Sequence, residues 1–233
     1  MSLPLSSLAM RKAERVLLDL YHKLHAAYGP QGWWPAETPF EVMVGAVLTQ
    51  ATAWRNVERA IERLKAAGAL SPEGMARLSE EELEELIRPA GFFRQKARRL
   101  RALLRLIEQH GGVEGLLALP TERLRAELLS VPGIGPETAD SILLYAAGHP
   151  VFVVDAYTKR ILHRLGLLHD EKASYEEVQE LFERALPRDP ELFGEYHALL
   201  VRHAKEHCRA KPRCAGCPLV DLCKFVRKET DHP

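Results

Sequence analysis

Cys208-x5-Cys214-x2-Cys217-x5-Cys223 gathers all four cysteines of the chain, with Arg209, Lys211 and Arg213 in the first gap. Thiolates this close repel or oxidise unless something holds them, so the set predicts a bound metal or cluster and not disulfides. Zinc with four cysteine ligands fits the ligand chemistry, although the two close cysteine pairs usual in such sites do not match this spacing. A second feature is Ser-Val-Pro-Gly-Ile-Gly-Pro, residues 130–136. Gly133 and Gly135 should supply backbone angles closed to other residues and let a ligand reach the main chain, and Pro136 suits the first turn of the next helix. Amides at that helix start, with the helix dipole, form a site for one phosphate, and a duplex backbone is the natural ligand. A packing corner between two helices is the alternative. The third feature is Asp155, which follows Val-Phe-Val-Val and opens a helical run, where an ordinary N-cap would also stand.

Taken together, V-P-G-I-G-x-x-T-A followed by V-D at Val154-Asp155 resembles the helix-hairpin-helix, Gly/Pro and Asp signature of the endonuclease III superfamily of DNA glycosylases. The resemblance implies that Asp155 is the catalytic aspartate and that Gly133, Ile134, Gly135 and Thr138 bind the DNA backbone. It implies a 4Fe-4S cluster on Cys208, Cys214, Cys217 and Cys223, with a structural and electrostatic role. The family usually has six residues in the first gap, against five here, a deletion the cluster should tolerate. Leu48-Thr49-Gln50-Ala51-Thr52 is similar to the segment whose glutamine enters the gap left by an extruded nucleotide, which points to Gln50. Gly91-Phe92-Phe93-Arg94 resembles the loop that wedges an apolar side chain into the opposite strand, which points to Phe92. Without the resemblance, Gln50 reads as a helix-end amide and Phe92 as a core aromatic.

Trp33, Trp34 and Trp54 fall in the two segments that flank the family's base pocket. Indole faces favour a cationic π-system by about 0.5–2 kcal/mol, and N3-methyladenine and N7-methylguanine carry that charge. W-W-P, L-T-Q, G-I-G-x-E-T-A-D and V-V-D together resemble the 3-methyladenine DNA glycosylase branch of the superfamily. Glu137 belongs to that branch's pattern and is grouped with Asp155 as a catalytic position. It also occupies the place of the endonuclease III lysine that forms a Schiff base, and a carboxylate cannot form an imine. The resemblance therefore implies a monofunctional glycosylase for alkylated purines in double-stranded DNA, with Lys159 or another lysine as the alternative amine. Two rivals are a glycosylase and AP lyase for oxidised or mismatched pyrimidines, and a hairpin protein that binds DNA without catalysis.

The elements that must position these residues read as helices. Apolar periodicity predicts a helix over residues 9–28, ended by Gly29-Pro30. Thr38, Pro39 and Glu41 predict a capped, almost wholly apolar helix to Leu48, and a further helix covers 55–66. Ser79 with Glu82, Thr121, and Ser174 with Glu177 read as later caps. Arg94, Lys96, Arg98, Arg99, Arg101 and Arg105 form a basic run, predicted to lie mostly on the face away from the apolar one, that could meet phosphates. Val151–Val154 is too short for a sheet. The expected fold is all-α in two helical domains with a DNA-binding cleft between them. Residues 31–149 would form a six-helix barrel with the hairpin, and 1–30 plus 150–233 a terminal-helix domain with the cluster loop at about 208–223. The 233 residues are 46% hydrophobic and 27% charged, and 32 Lys plus Arg balance 32 Asp plus Glu. No overall field draws the chain to polyanions, so a DNA surface must be local. No apolar stretch has the length of a membrane span and the start lacks a signal pattern, which predicts a cytoplasmic protein without a membrane partner; a monomer is expected.

Overall fold

The structure, a computed structural model, describes residues 7–226, and every regular element among them is helical. In chain order the helices are α1 (Ser7–Tyr28), α2 (Pro39–Leu48), α3 (Trp54–Ala66), α4 (Pro72–Ala76), α5 (Glu80–Ile87) and α6 (Phe93–Gln109). There follow α7 (Val113–Leu117), α8 (Thr121–Ser130), α9 (Pro136–Tyr145), α10 (Ala156–Leu165), α11 (Tyr175–Ala185) and α12 (Pro190–Glu206). Short 3-10 turns cover Arg88–Ala90 and Val220–Leu222. The all-α expectation therefore holds, and the outer ends of the expected terminal-helix domain, 1–6 and 227–233, lie outside the described residues.

The chain divides into two compact units, Trp34–His149 and the flanking segments Met1–Trp33 with Pro150–Pro233. In the central unit α2 packs on α3, α6 and α9, and α8 packs on α9. Helix α2 is buried from Phe40 to Leu48. Thr38 caps it by accepting the Glu41 N–H at 3.1 Å. Glu41 does not close the expected box on Thr38. Its carboxylate accepts the Glu37 N–H at 3.0 Å and pairs with Lys65 at 3.1 Å, so a partner from α3 competes for it. The boxes at Ser79–Glu82 and Ser174–Glu177 form reciprocally. Thr121 is not a cap: Pro120 holds the extended N-cap position, and the Thr121 hydroxyl lies 2.6 Å from His149 Nδ1.

The basic run on α6 is also corrected. Lys96 is fully buried, and Arg101 turns inward to the Met75 and Ser79 carbonyls at 2.9 and 3.1 Å and to that of Leu78. Arg99 is half-buried, which leaves Arg94, Arg98 and Arg105 exposed.

In the flanking unit α1 packs on α11 and α12, and α10 packs on α12. Val151–Val154 runs extended and buried, with no strand beside it among the described residues. Side chains serve its backbone instead. Glu183 accepts the Phe152 N–H at 2.9 Å, Gln179 donates to the Phe152 carbonyl at 2.8 Å, and the Tyr175 hydroxyl accepts the Val154 N–H at 3.3 Å. Phe152 stacks on Phe182 at 3.8 Å between ring centroids. This fixes the chain as it enters Asp155. Among the described residues no helix is long and apolar enough to cross a membrane.

Candidate active site and nucleic-acid interface

In the central unit, α8 and α9 meet at a corner closed by the Ile134 N–H donating to the Val131 carbonyl at 3.0 Å. Gly133 takes φ +85°, and a Cβ there would meet the Arg99 side chain at 2.2 Å, so this position needs glycine twice over. Gly135 differs from expectation. Its backbone is extended, with φ −95° and ψ −179°, and a Cβ would meet nothing within 4 Å. Its bare backbone instead leaves open approach to the start of α9, which has no side-chain cap. The Ile134 side chain is buried, so only its main chain can face a ligand. Glu137 is exposed on the first turn of α9. Behind the corner, Arg125 of α8 donates Nε and Nη2 to the two oxygens of fully buried Asp140 of α9, at 2.7 and 3.2 Å. A bidentate pair of this kind fixes the angle between two helices as well as their distance.

Gln50 joins this corner. Its Nε2 donates to the Gly133 carbonyl at 3.0 Å and to Thr138 Oγ1 at 2.9 Å, while its Oε1 accepts from Arg99 Nη1. The segment after α2 thus docks on the hairpin through a side chain the sequence had singled out. Phe92 is 62% exposed at the start of α6, with left-handed φ 45° and ψ 33°, which rules out the core-aromatic reading. Trp34 meets Trp54 edge to face at 5.5 Å and Tyr145 at 5.5 Å, and its indole edge lies against Gly45. A pocket of about 170 Å³ opens between Trp34, Trp54, Pro35 and Gly45, with Glu41, Glu58, Glu62 and Lys65 among its other walls. Trp33 falls in the flanking unit and is half-buried.

In the flanking unit, Asp155 caps α10 with one carboxylate oxygen. Oδ1 accepts the Thr158 N–H at 2.7 Å and the Thr158 hydroxyl at 2.9 Å. Oδ2 faces His197 Nε2 of α12 at 3.5 Å, and both side chains are about nine-tenths buried. Burial is the largest single influence on this carboxyl and pushes its pKa up. His197 and the Thr158 donors together outweigh it, so the net shift is downward. The result is a buried carboxylate that stays ionised. The four cysteines line one cavity with Arg164, Leu165, His203 and Phe225. Burial raises the Cys217 thiol, and the other three cysteines raise it further.

Residues 44–188 match the family model of the HhH-GPD superfamily base excision DNA repair proteins. The chain belongs to that superfamily. It is 50% identical over 211 residues, 89% of this chain and 96% of the relative, to the "Putative DNA repair glycosylase MJ1434" of Methanocaldococcus jannaschii. A solved non-covalent endonuclease III–DNA complex superposes with TM-score 0.79 at 27% identity, covering 94% of this chain and 98% of that one. The 3-methyladenine DNA glycosylase of H. pylori, bound to 1,N6-ethenoadenine, gives TM-score 0.70 at 30% identity over 84% of this chain and 97% of that one.

As a DNA glycosylase of the HhH-GPD superfamily, the chain carries three side chains at these places whose roles differ from expectation: the sequence pattern left His197 unremarked and grouped Lys96 and Arg99 with a phosphate-facing basic run. His197 faces the buried aspartate, Arg99 ties Gln50 to the hairpin, and Lys96 lies under both the Gln50 and Phe92 segments. His197 and Lys96 each sit on the apolar stripe of their helix, in Phe193-His197-Leu200-Ala204 and Lys96-Leu100-Leu103-Ile107. A polar residue on such a stripe was the available signal.

Proposed function

We propose that this glycosylase is monofunctional and hydrolyses the N-glycosidic bond of alkylated purines, 3-methyladenine and 7-methylguanine, in duplex DNA. The observation that carries the substrate class is the pocket beside Trp34 and Trp54. Its aromatic walls are joined by three carboxylates, Glu41, Glu58 and Glu62, against a single cation, Lys65, which is committed to Glu37 at 2.8 Å and Glu41 at 3.1 Å. Aromatic faces with surplus negative charge suit a positively charged base. Trp33 is assigned to the same pocket by resemblance.

In this reading the amides of Gly133, Gly135, Glu137 and Thr138 hold the backbone while Gln50 and Phe92 prop the opened duplex. The alkylated purine turns out at a cost of roughly a few kcal/mol of stacking and pairing. Its glycosidic bond is already weakened by its charge, so no acid is needed to protonate it. Asp155, ionised by its surroundings, stabilises the sugar cation that develops or orients the attacking water. Lys159 is a poor Schiff-base candidate because its ammonium donates to the Ala173 carbonyl at 2.7 Å.

We assign a 4Fe-4S cluster to the four cysteines by resemblance, and the four line a common cavity. Four thiols around one cavity could supply the one cysteine per iron that such a cluster takes. Such a cluster would supply structural and electrostatic support.

The test is purified protein on methylated duplex DNA, with released bases separated by chromatography beside a duplex that carries oxidised pyrimidines. Release of 3-methyladenine without strand nicking is expected. Pyrimidine release, or a covalent complex trapped by borohydride, would overturn the substrate reading in favour of the lyase.

A further inference from the structure

Lys96 is fully buried on the first turns of α6, yet among the described residues its hydrogen-bond acceptors include no carboxylate. Its Nζ donates to two backbone carbonyls at 2.8 Å, Leu48 and Ala90. Leu48 is the last residue of α2, two before Gln50. Ala90 is the last residue of the 3-10 turn, two before Phe92. One ammonium therefore holds the ends of both elements from which the two DNA-facing side chains depart. The negative ends of two helical segments converge on a cation there, which stabilises a group that would otherwise be costly to bury.

A separate observation points to the same place. Among the described residues only Ala51 and Phe92 lack glycine's freedom and still adopt positive φ, at 53° and 45°. Each lies within three residues of a carbonyl that Lys96 holds. Left-handed backbone at a residue with a side chain costs energy and persists only where the surroundings impose it. Both strained residues belong to the two segments braced by this lysine.

We propose that Lys96 is a positioning residue which sets the spacing between the Gln50 and Phe92 segments, so that both side chains enter an opened duplex together. The proposal rests on the reading above that Gln50 and Phe92 prop the duplex. Arg99 completes the arrangement from the next turn of α6 by fixing the Gln50 amide against the hairpin. Helix α6 thus carries, three residues apart, one anchor for the backbone behind Gln50 and one for its side chain.

The probe is a duplex that contains a tetrahydrofuran abasic analogue opposite 2-aminopurine, whose fluorescence rises when it is unstacked. This requires no knowledge of the damaged base. The signal is read at saturating protein for the full-length wild type, Lys96→Met, Lys96→Gln, Gln50→Ala and Phe92→Ala, with affinity and thermal midpoint measured alongside. Amplitude at saturation comes only from folded, bound molecules, so a loss of stability alone does not change it. Lys96→Met is expected to bind the duplex and lose most of the fluorescence gain, as Gln50→Ala and Phe92→Ala do, with Lys96→Gln between it and wild type. A Lys96→Met protein that keeps the full gain while Gln50→Ala and Phe92→Ala lose it would overturn the proposal and leave the wedge reading standing. Full gain in Gln50→Ala and Phe92→Ala would sink the wedge reading, and the role of Lys96 with it. Failure of both Lys96 variants to fold would also overturn it, by making the lysine a general support of the central unit.

Discussion

Asp155 uses its two carboxylate oxygens differently. Oδ1 is occupied by two donors from Thr158, while Oδ2 faces the ring of His197. Burial raises the pKa, and the ring and the Thr158 donors lower it by more, so the balance depends on His197. Asp155→Asn keeps the cap geometry and removes the charge. It is expected to lower single-turnover base release by on the order of 10²-fold or more, with affinity for an abasic duplex retained. Equal losses in binding and turnover would argue that Asp155 only holds the helix. His197→Leu tests the balance. With the folded pKa depressed, the aspartate adds stability above its unfolded value of about 3.9 and loses that contribution as pH falls through the folded value. Without His197, burial pushes the pKa upward. The acid limb of the rate profile should then move to higher pH, and the variant should lose more stability at neutral than at acid pH. An unmoved acid limb would show that another group titrates.

Helix α10 connects this carboxylate to the cysteine loop. Asp155 caps its start, and from its later turns Arg160 donates to the Cys208 carbonyl at 2.9 Å. Arg164 donates to the Arg209 and Ala210 carbonyls at 2.6 and 3.0 Å and approaches Cys208 Sγ at 3.3 Å. Arg164→Ala should therefore cost about 1–3 kcal/mol of stability through these carbonyls and, on the cluster proposed above, lower the iron and sulfide content of the purified protein. Unchanged iron with an unchanged thermal midpoint would separate the loop from the helix. Local signals served well for elements of this kind. The boxes at Ser79 and Ser174 are three-residue patterns whose partners lie within one turn, so their geometry could be read in the chain. Thr121 and Glu41 were misread because each found a partner remote in sequence, His149 and Lys65. Gly133 and Gly135 look alike as letters, but only Gly133 carries a positive φ with Arg99 packed across it. The buried positions of Lys96 and His197 could be inferred from their apolar stripes. Their partners could not, since the Leu48 carbonyl and Asp155 lie 48 and 42 positions away.

For the whole molecule, the balance of 32 basic and 32 acidic residues means that attraction to DNA must come from a few placed cations and helix-start amides. The structure narrows those cations further. Of the basic run on α6, Lys96, Arg99 and Arg101 are engaged with the protein itself, and Arg94 pairs with Glu84 at 3.7 Å. Arg98 and Arg105 remain exposed on the same helix as the Phe92 segment. Each phosphate neutralised on a duplex contributes about 0.9 to the slope of log affinity against log salt. Arg98→Gln should thus make the slope for an abasic duplex shallower by about 1, weakening binding at low salt and much less at high salt. The Gln50 and Phe92 side chains carry no charge, so their alanine variants should shift the whole line and leave its slope alone. A salt slope that Arg98→Gln does not change would remove α6 from the phosphate contacts and leave the hairpin amides to hold the backbone.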